Sequence, residues 1–340
     1  MAGEKAERPR PGEFELIAEL FAPLARDAAG AFGLTDDVAL YRSSPGMETV
    51  LTVDALVEGV HFLPSDPPEA VAKKLLRVNL SDLAAKGARP RGYLLVTALP
   101  DSVSMSWLEG FAAGLAEDQD RFGLSLWGGD TVSTQGPLTL SLTAIGEVEE
   151  GAMLPRGGAK PGDAIYVSGT IGDAALGLAV LQDRLHPVSA EDAAFLADRY
   201  RLPQPRVTLG PALCGIAHAS LDVSDGLVAD LLHMCETSGL AATIRAADVP
   251  LSSAAAAALL AVGEVTFESL LTGGDDYELI FAVPSEAEEA LLAAAAGAGV
   301  PVALIGHLEE RANRTAGTLV QVLDAQGAPI AIPHPGFRHF

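Results

Sequence analysis

The chain has 340 residues, 49% of them hydrophobic and 20% charged, which is ample for two buried cores and makes two domains the expectation. Its net charge of −23, with only Lys5, Lys73, Lys74, Lys86 and Lys160 as lysines, excludes non-specific binding to nucleic acid or to an anionic membrane, since phosphate surfaces attract basic ones. Two distant cysteines, Cys214 and Cys235, supply neither a zinc site nor a disulfide framework, which fits a reducing compartment.

Residues 1–12 are charged and Pro-bearing with no apolar stretch behind them, so a flexible start is expected and a secretory signal is not. Phe14 to Ala25 carries Phe14, Ile17, Leu20, Phe21 and Leu24 at helical spacing. Thr49 to Val53 is a short strand ending at Asp54. Pro68 to Lys86 predicts a long helix, stopped by Gly87 and Pro90, that puts Asn79 and Asp82 on one face. Tyr93 to Leu99 is β-prone, Trp107 to Arg121 helical, Leu124 to Trp127 a strand running into Gly128-Gly129-Asp130, and Leu138 to Val148 another strand. Strands alternating with helices make residues 13–150 an α/β domain.

Gly, Pro and charge collect over Glu149 to Gly162, the predicted boundary, and 151–340 is a second α/β domain. It opens with a strand over Ala164 to Ser168 and a helix over Asp173 to Leu181. A strand around Ser220 to Val223 leads to a helix from Leu227 to Ser238, closed by Gly239. Glu278 to Val283 is a strand, Glu286 to Gly297 a helix, and Val302 to Gly306 a strand. The Ala-rich runs Ala254 to Val262 and Leu291 to Val300 are too short to span a bilayer, and a cytoplasmic protein is expected.

Six acidic clusters punctuate this pattern: Thr35-Asp36-Asp37, Thr52-Val53-Asp54, Ser81-Asp82, Gly128-Gly129-Asp130, Asp222-Val223-Ser224-Asp225 and Gly273-Gly274-Asp275-Asp276. Any one of them is equally well a simple turn. Six beside apolar runs point instead to carboxylates gathered around a hard cation, and Mg²⁺ bridges one or two carboxylates to substrate phosphates. Competing motifs are weak. Gly169-Thr170-Ile171-Gly172 lacks the third glycine of a dinucleotide loop, and no P-loop, HExxH or GxSxG string occurs. His61, seven residues beyond Asp54, is by composition a structural histidine more often than a ligand. Arg156 is either a solvated arginine or a phosphate clamp.

Taken together, 33–40, Thr52 to Phe62, Asn79 to Ala88, Gly128-Gly129-Asp130-Thr131, Asp222 to Leu227, Gly273 to Leu279 and the terminal Gly336-Phe337-Arg338-His339-Phe340 closely resemble the bacterial thiamine-monophosphate kinases, in order, from about residue 12 to the end. These belong with aminoimidazole ribonucleotide synthetase and selenophosphate synthetase. The resemblance implies an N-terminal α/β domain that closes a barrel across a homodimer, followed by a second α/β domain. It implies transfer of the ATP γ-phosphoryl to thiamine monophosphate, with several Mg²⁺ ions. By motif, Asp36, Thr52, Asp54, Asp82, Asp130, Asp222 and Asp225 would hold metal, with Val53 able to contribute only its backbone carbonyl. Gly129, Asp130, Arg156 and Ser224 would meet ATP, and His61, Asp275 and Phe337 the acceptor. Three positions depart from the family pattern: Thr35 stands where Gly is usual, Val53 where Thr or Ser is, and Asp275 where Glu is. Asp275 reaches roughly one C–C bond less than Glu, which a bridging water restores.

The implied chemistry suits the residue inventory. A phosphate acceptor, with its second pKa near ~6, is already anionic at neutral pH and needs no strong base. Positioning and neutralisation of charge then carry the rate, by direct transfer without a phosphoenzyme. The sulfur-using relatives fit less well, because the first cysteine is Cys214 and the chain ends in Phe340. Aminoimidazole ribonucleotide synthetase is the enzymatic alternative. A non-catalytic acidic protein that binds divalent ions is the alternative from another class.

Overall fold

The computed structural model describes residues 8–263, 265–313 and 318–337. Most of the flexible start expected over 1–12, and the terminal Arg338-His339-Phe340, lie outside the described residues. The chain divides into two compact units, the first made of Met1–Leu83 and Arg89–Glu150, the second of Ala84–Ala88 and Gly151–Phe340. Among the described residues no helix is long and apolar enough to cross a membrane.

The first unit is built on a four-stranded sheet ordered β1 (Met47–Val57), β4 (Thr139–Glu149), β2 (Arg89–Leu99), β3 (Ser125–Ser133). β4 runs antiparallel to both neighbours, and β3 lies parallel to β2. Period-2 alternation separates two faces. Leu56, Tyr93, Leu95, Leu140, Leu142 and Ala144 are buried, whereas Leu51, Val53, Leu94, Val96 and Val132 of the other face are exposed. Two helices, Pro68–Ala85 and Met105–Phe122, lie on the buried face: Asn79 and Asp82 of the first bond to β1, and Tyr93 Oη donates to Gln119 of the second at 2.6 Å. Ser104 caps the second helix by accepting from Trp107 N, and a left-handed Gly123 ends it. A buried bidentate pair, Arg77 with Asp118, ties the helices together at 2.6 and 2.9 Å.

Several predicted bounds move. Phe14 to Ala25 is helical but not one α-helix: an α turn at Glu13–Leu16 passes into π geometry at Ile17–Phe21 and 3-10 geometry at Ala22–Ala25, where Pro23 removes a donor. β1 and β3 run on through their acidic clusters. Asp54 therefore sits inside a strand, paired with Leu142, and Gly128-Gly129-Asp130 inside another, beside a register shift at Tyr93/Leu94.

The second unit holds a mixed seven-stranded sheet in the order β11, β10, β7, β9, β5, β8, β6. Its strands are β5 (Ala164–Ser168), β6 (Ala219–Asp222), β7 (Leu240–Arg245), β8 (Leu279–Val283), β9 (Val302–Glu310), β10 (Val320–Leu323) and β11 (Pro329–Ile330). Its central strands are apolar on both faces because both are covered. Ile165, Val167, Ile280 and Ala282 pack into one core with the Leu227–Ser238 helix; Tyr166, Leu279, Phe281 and Val283 face a second core with the Glu288–Ala298 helix. A third cluster joins the helices Asp173–Leu181, Ala190–Arg201 and Ser253–Ala261. Cys235 is fully buried in the Leu227–Ser238 helix, as a small apolar residue would be. The molecule is thus a two-unit α/β protein with two open sheets; among the described residues neither sheet closes into a barrel.

Candidate functional site

In the first unit the site residues form two groups. The first lies where β1 meets the Pro68–Ala85 helix. Thr52 Oγ1 donates to Asp82 Oδ2 at 2.5 Å, and the Asp54 amide donates to Asn79 Oδ1 at 3.1 Å. Asn79 is fully buried, and its own amide is anchored on the Leu75 carbonyl at 2.9 Å, so its oxygen is aimed at the strand. Strand alternation puts Thr52 and Asp54 on one side, and the three-residue offset puts Asn79 and Asp82 opposite them. Burial first, then the charge of Asp82, pushes the Asp54 carboxyl up to about 6. Among the described residues no lysine or arginine forms an ion pair with either carboxylate. Val53 points to the exposed face, in register with Thr143.

His61 follows in the turn after β1. Its Nδ1 accepts the Val57 amide at 3.0 Å, so the neutral ring carries its proton on Nε2 as a donor. The buried Lys74 holds the turn by donating to the His61 carbonyl at 2.9 Å.

The second group lines a cavity of about 780 Å³. Phe14, Ile17, Leu94, Val96 and Trp127 give it apolar walls; Asp36, Asp37, Gly128, Gly129 and Asp130 bring acid and bare backbone. Gly30 allows the wall segment to fold back: its carbonyl accepts from Leu40 N at 2.8 Å, and a Cβ on it would clash with the Leu40 carbonyl. The segment is clasped at its far end by the buried Glu147, which accepts from Tyr41 Oη at 2.6 Å, from Ser44 N at 2.8 Å and from Arg91 Nε at 2.9 Å. Burial works to raise the Glu147 carboxyl, but these donors outweigh it and hold it at about 2. Asp54, Leu142, Leu95 and Gly129 stand in one register row across the sheet. At the usual strand spacing the two groups are about 14 Å apart within one chain. They do not share a single cluster.

In the second unit, Asp222 is the last residue of β6, and Val223 to Gly226 form the loop before the Leu227–Ser238 helix. Asp230, one turn into that helix, folds the loop around its own carboxylate: Oδ2 accepts from Ser224 N, Asp225 N and Gly226 N at 3.0, 3.0 and 3.2 Å. Burial and the neighbouring Asp225 push Asp230 up to about 7, against the pull of those amides. The Gly273–Asp276 loop lies alongside, with Asp275 N donating to the Ser224 carbonyl at 2.9 Å. Phe337 N donates to the Asp225 carbonyl at 2.9 Å, which brings a half-exposed ring to the same loop. Arg156 is exposed, next to Pro155, whose carbonyl accepts from Ser220 N of β6. Ser224, Asp225, Asp275 and Phe337 are therefore neighbours, with Asp222 and Arg156 at the adjoining strand. Gly169 to Gly172 is a tight strand-to-helix turn, its Gly169 packed on the Glu278 carboxylate.

Residues 35–148 match the model of the AIR synthase related protein N-terminal domain, and 160–317 that of its C-terminal domain. The thiamine-monophosphate kinase of Caulobacter vibrioides is 47% identical over 88% of this chain and 85% of its own length. That of Escherichia coli K12 is 41% identical over 97% of this chain and 98% of its own. The chain belongs to the thiamine-monophosphate kinase family. Solved structures agree. A thiamine-monophosphate kinase from Stenotrophomonas maltophilia superposes with a TM-score of 0.78 at 39% identity, covering 89% of this chain and 96% of that one. AaThiL complexed with AMPPCP and TMP gives 0.76 at 32% identity, covering 97% of each chain. The hydrogenase maturation protein HypE, at 21% identity, shares the fold.

The motif strings that tie this chain to the thiamine-monophosphate kinases stop short of some residues that shape the site. Asp230, Glu147, Arg199 and Arg206 fall outside every string, yet each orders a segment that carries a candidate residue. Asp230 had one visible signal, an acid in the first turn of a predicted helix. Glu147 had none, because its partners lie 56 to 106 residues away in sequence.

Proposed function

We propose that this chain transfers the terminal phosphoryl group of ATP directly to the phosphate of thiamine monophosphate, giving thiamine diphosphate and ADP, in a Mg²⁺-dependent step without a phosphoenzyme. Near full-length identity to thiamine-monophosphate kinases supports the substrate pair, as does the likeness to AaThiL complexed with AMPPCP and TMP. The observation that carries the metal is the Asp54–Asp82 pair. Two half-buried carboxylates lie close, Thr52 donating to that of Asp82 and Asn79 fixing the backbone of Asp54, and no basic side chain of the described residues pairs with them.

Among the described residues, no three His, Cys, Asp or Glu side chains gather into a ready-made metal cage. Mg²⁺ keeps several waters and takes one or two carboxylates together with substrate phosphates. Asp54 and Asp82 would hold one ion, with Thr52 and Asn79 orienting them. Asp36 and Asp130 would hold metal at the cavity, and Asp222 and Asp225 in the second unit; Val53 offers a backbone carbonyl. When bound, Mg²⁺ neutralises charge on the transferring phosphoryl oxygens.

The remaining roles fall to the chain itself. In the cavity, Gly129 is bare because the Leu95 backbone fills the position a Cβ would take, so it would meet the nucleotide through its backbone, and the apolar walls exclude water from the nucleotide. Ser224 and Arg156 are the nucleotide contacts of the second unit. His61 presents Nε2–H to the acceptor phosphate, Phe337 packs its ring on the acceptor's heteroaromatic rings, and Asp275 reaches the acceptor through water. No general base is required, since the attacking phosphate oxygen is already ionised.

A homodimer completes this reading. The open face of the first sheet exposes Leu51, Val53, Val96 and Val132, and among the described residues β1 and β3 are its edge strands. A second copy laid on that face would bury the apolar patch and close the edges into a barrel. Light scattering should give a mass twice that of the chain, and Val53→Asp should lower it. The activity is tested by following thiamine diphosphate formation from ATP and thiamine monophosphate with Mg²⁺ and with chelator. Product that forms only with all three components supports the proposal; hydrolysis of ATP alone contradicts it.

A further inference from the structure

The fully buried Glu278 is surrounded by donors that no part of the chemistry above uses. Its Oε2 accepts from Ser168 Oγ and Arg206 Nε, both at 2.6 Å, and its Oε1 from Arg199 Nη2 at 3.0 Å and from Arg206 Nη2. Ser168 Oγ in turn accepts the Leu279 amide at 2.8 Å. Gly169, at φ +58°, packs where any Cβ would strike the Glu278 carboxylate. Two residues earlier, the buried Asp276 accepts from Gly172 N at 2.8 Å and Ala174 N at 3.3 Å, at the start of the Asp173–Leu181 helix.

These anchors alternate with strain. Asp275 has φ +71° and Tyr277 φ +51°, both in the left-handed region that a non-glycine residue holds only when its surroundings dictate it. Both strained residues, and Glu278 itself, are bonded to the acidic loop. Asp275 N donates to the Ser224 carbonyl at 2.9 Å, Tyr277 N to the Val223 carbonyl at 2.8 Å, and Val223 N to the Glu278 carbonyl at 2.8 Å. Gly274 packs so close to the Ser224 carbonyl that no side chain fits between.

We infer that Arg206, acting through Glu278, is a positioning residue: its forked grip fixes the left-handed backbone of Asp275 and Tyr277 and thereby sets the 222–225 acidic loop and the acceptor-facing Asp275 against each other. The inference rests on the proposed roles of Asp222, Asp225 and Asp275. Arg199 is shared, its Nε lying 3.8 Å from the buried Asp173, whereas Arg206 grips both oxygens of Glu278. The planar fork of Arg206 holds both oxygens of Glu278 at once, which a point charge cannot do.

Arg206→Lys keeps the charge and removes the fork. In the full chain it should raise both the acceptor KM and the Mg²⁺ concentration for half-maximal rate by about tenfold, while kcat at saturation stays within about threefold. A purely structural role would lower the melting temperature and leave both saturation curves unchanged, and that result overturns the inference. Arg199→Lys, which removes one donor to the same carboxylate, gives the same comparison with smaller shifts if Arg206→Lys does not fold. Asp275→Asn, which tolerates the left-handed backbone, separates the two levels of the argument. A raised acceptor KM there with flat curves in Arg206→Lys sinks the positioning role alone. Flat curves in both sink the assignment of Asp275 as well.

Discussion

Asp54 and Asp82 face each other across the junction of β1 and the Pro68–Ala85 helix, and the second charge helps lift the carboxyl of the first to about 6, after burial. Such a pair is relieved by a proton or by a cation placed between the two carboxylates, and the proposed Mg²⁺ would be that cation. The relationship makes stability and metal binding two views of one electrostatic fact.

The first prediction concerns pH without metal. Asp54 has its folded value at about 6 against an ordinary 3.8, so the folded state binds the proton more tightly. Its contribution to stability is fully present below 3.8 and is lost as pH rises through about 6. Asp230, at about 7, and the buried Asp276 shift in the same direction, so the comparison must be between wild type and Asp54→Asn. At pH 7.5 in chelator, Asp54→Asn should be the more stable by up to about 3 kcal/mol, an advantage that shrinks below pH 6. Urea unfolding at pH 5 and 7.5 measures it. Saturating Mg²⁺ should stabilise wild type and not the variant.

Glu147 acts in the opposite sense. Held at about 2, it stabilises the fold above its ordinary value of 4.5, and that contribution goes as pH falls toward 2. Glu147→Gln leaves Tyr41, Ser44 and Arg91 short of an acceptor, at about 1–3 kcal/mol. Because the same clasp holds the cavity wall from Asp36 to Tyr41, the KM for ATP should rise several-fold with little change for the acceptor. Equal changes in both would detach the cavity from the nucleotide.

Phe337→Ala should raise the KM for thiamine monophosphate far more than that for ATP, since its backbone is fixed to Asp225 and its ring is half-exposed beside the loop. Stacking of one ring corresponds to about 0.5–1.5 kcal/mol beyond buried area, several-fold in KM. Parallel steady-state titrations of the two substrates decide it.

Much of this was legible in the sequence because it is local. The Asp173–Leu181 and Leu227–Ser238 helices keep their predicted bounds, their signals being helical periodicity and a closing Gly239 at φ +71°. The acidic strings carried the family. Their setting was less legible: Asp54 and Asp130 were expected at strand ends and sit inside strands, since a carboxylate or Gly-Gly pair resembles a turn until cross-strand pairing with Leu142 and Val96 is known. Arg206 to Glu278 and Glu147 to Tyr41 are pairings across 72 and 106 residues, and no local pattern encodes them. The division of the first unit's aspartates into two groups depends on the strand order, with β4 inserted between β1 and β2.

The most direct measurement is the rate of thiamine diphosphate formation against Mg²⁺ concentration for wild type, Asp54→Asn and Asp82→Asn, with circular dichroism to verify folding. Wild type should be silent in chelator and recover with Mg²⁺, and each variant should turn over at least about a hundredfold more slowly at saturating metal. Near-normal turnover in either folded variant, or product formed by wild type without divalent metal, would contradict the account.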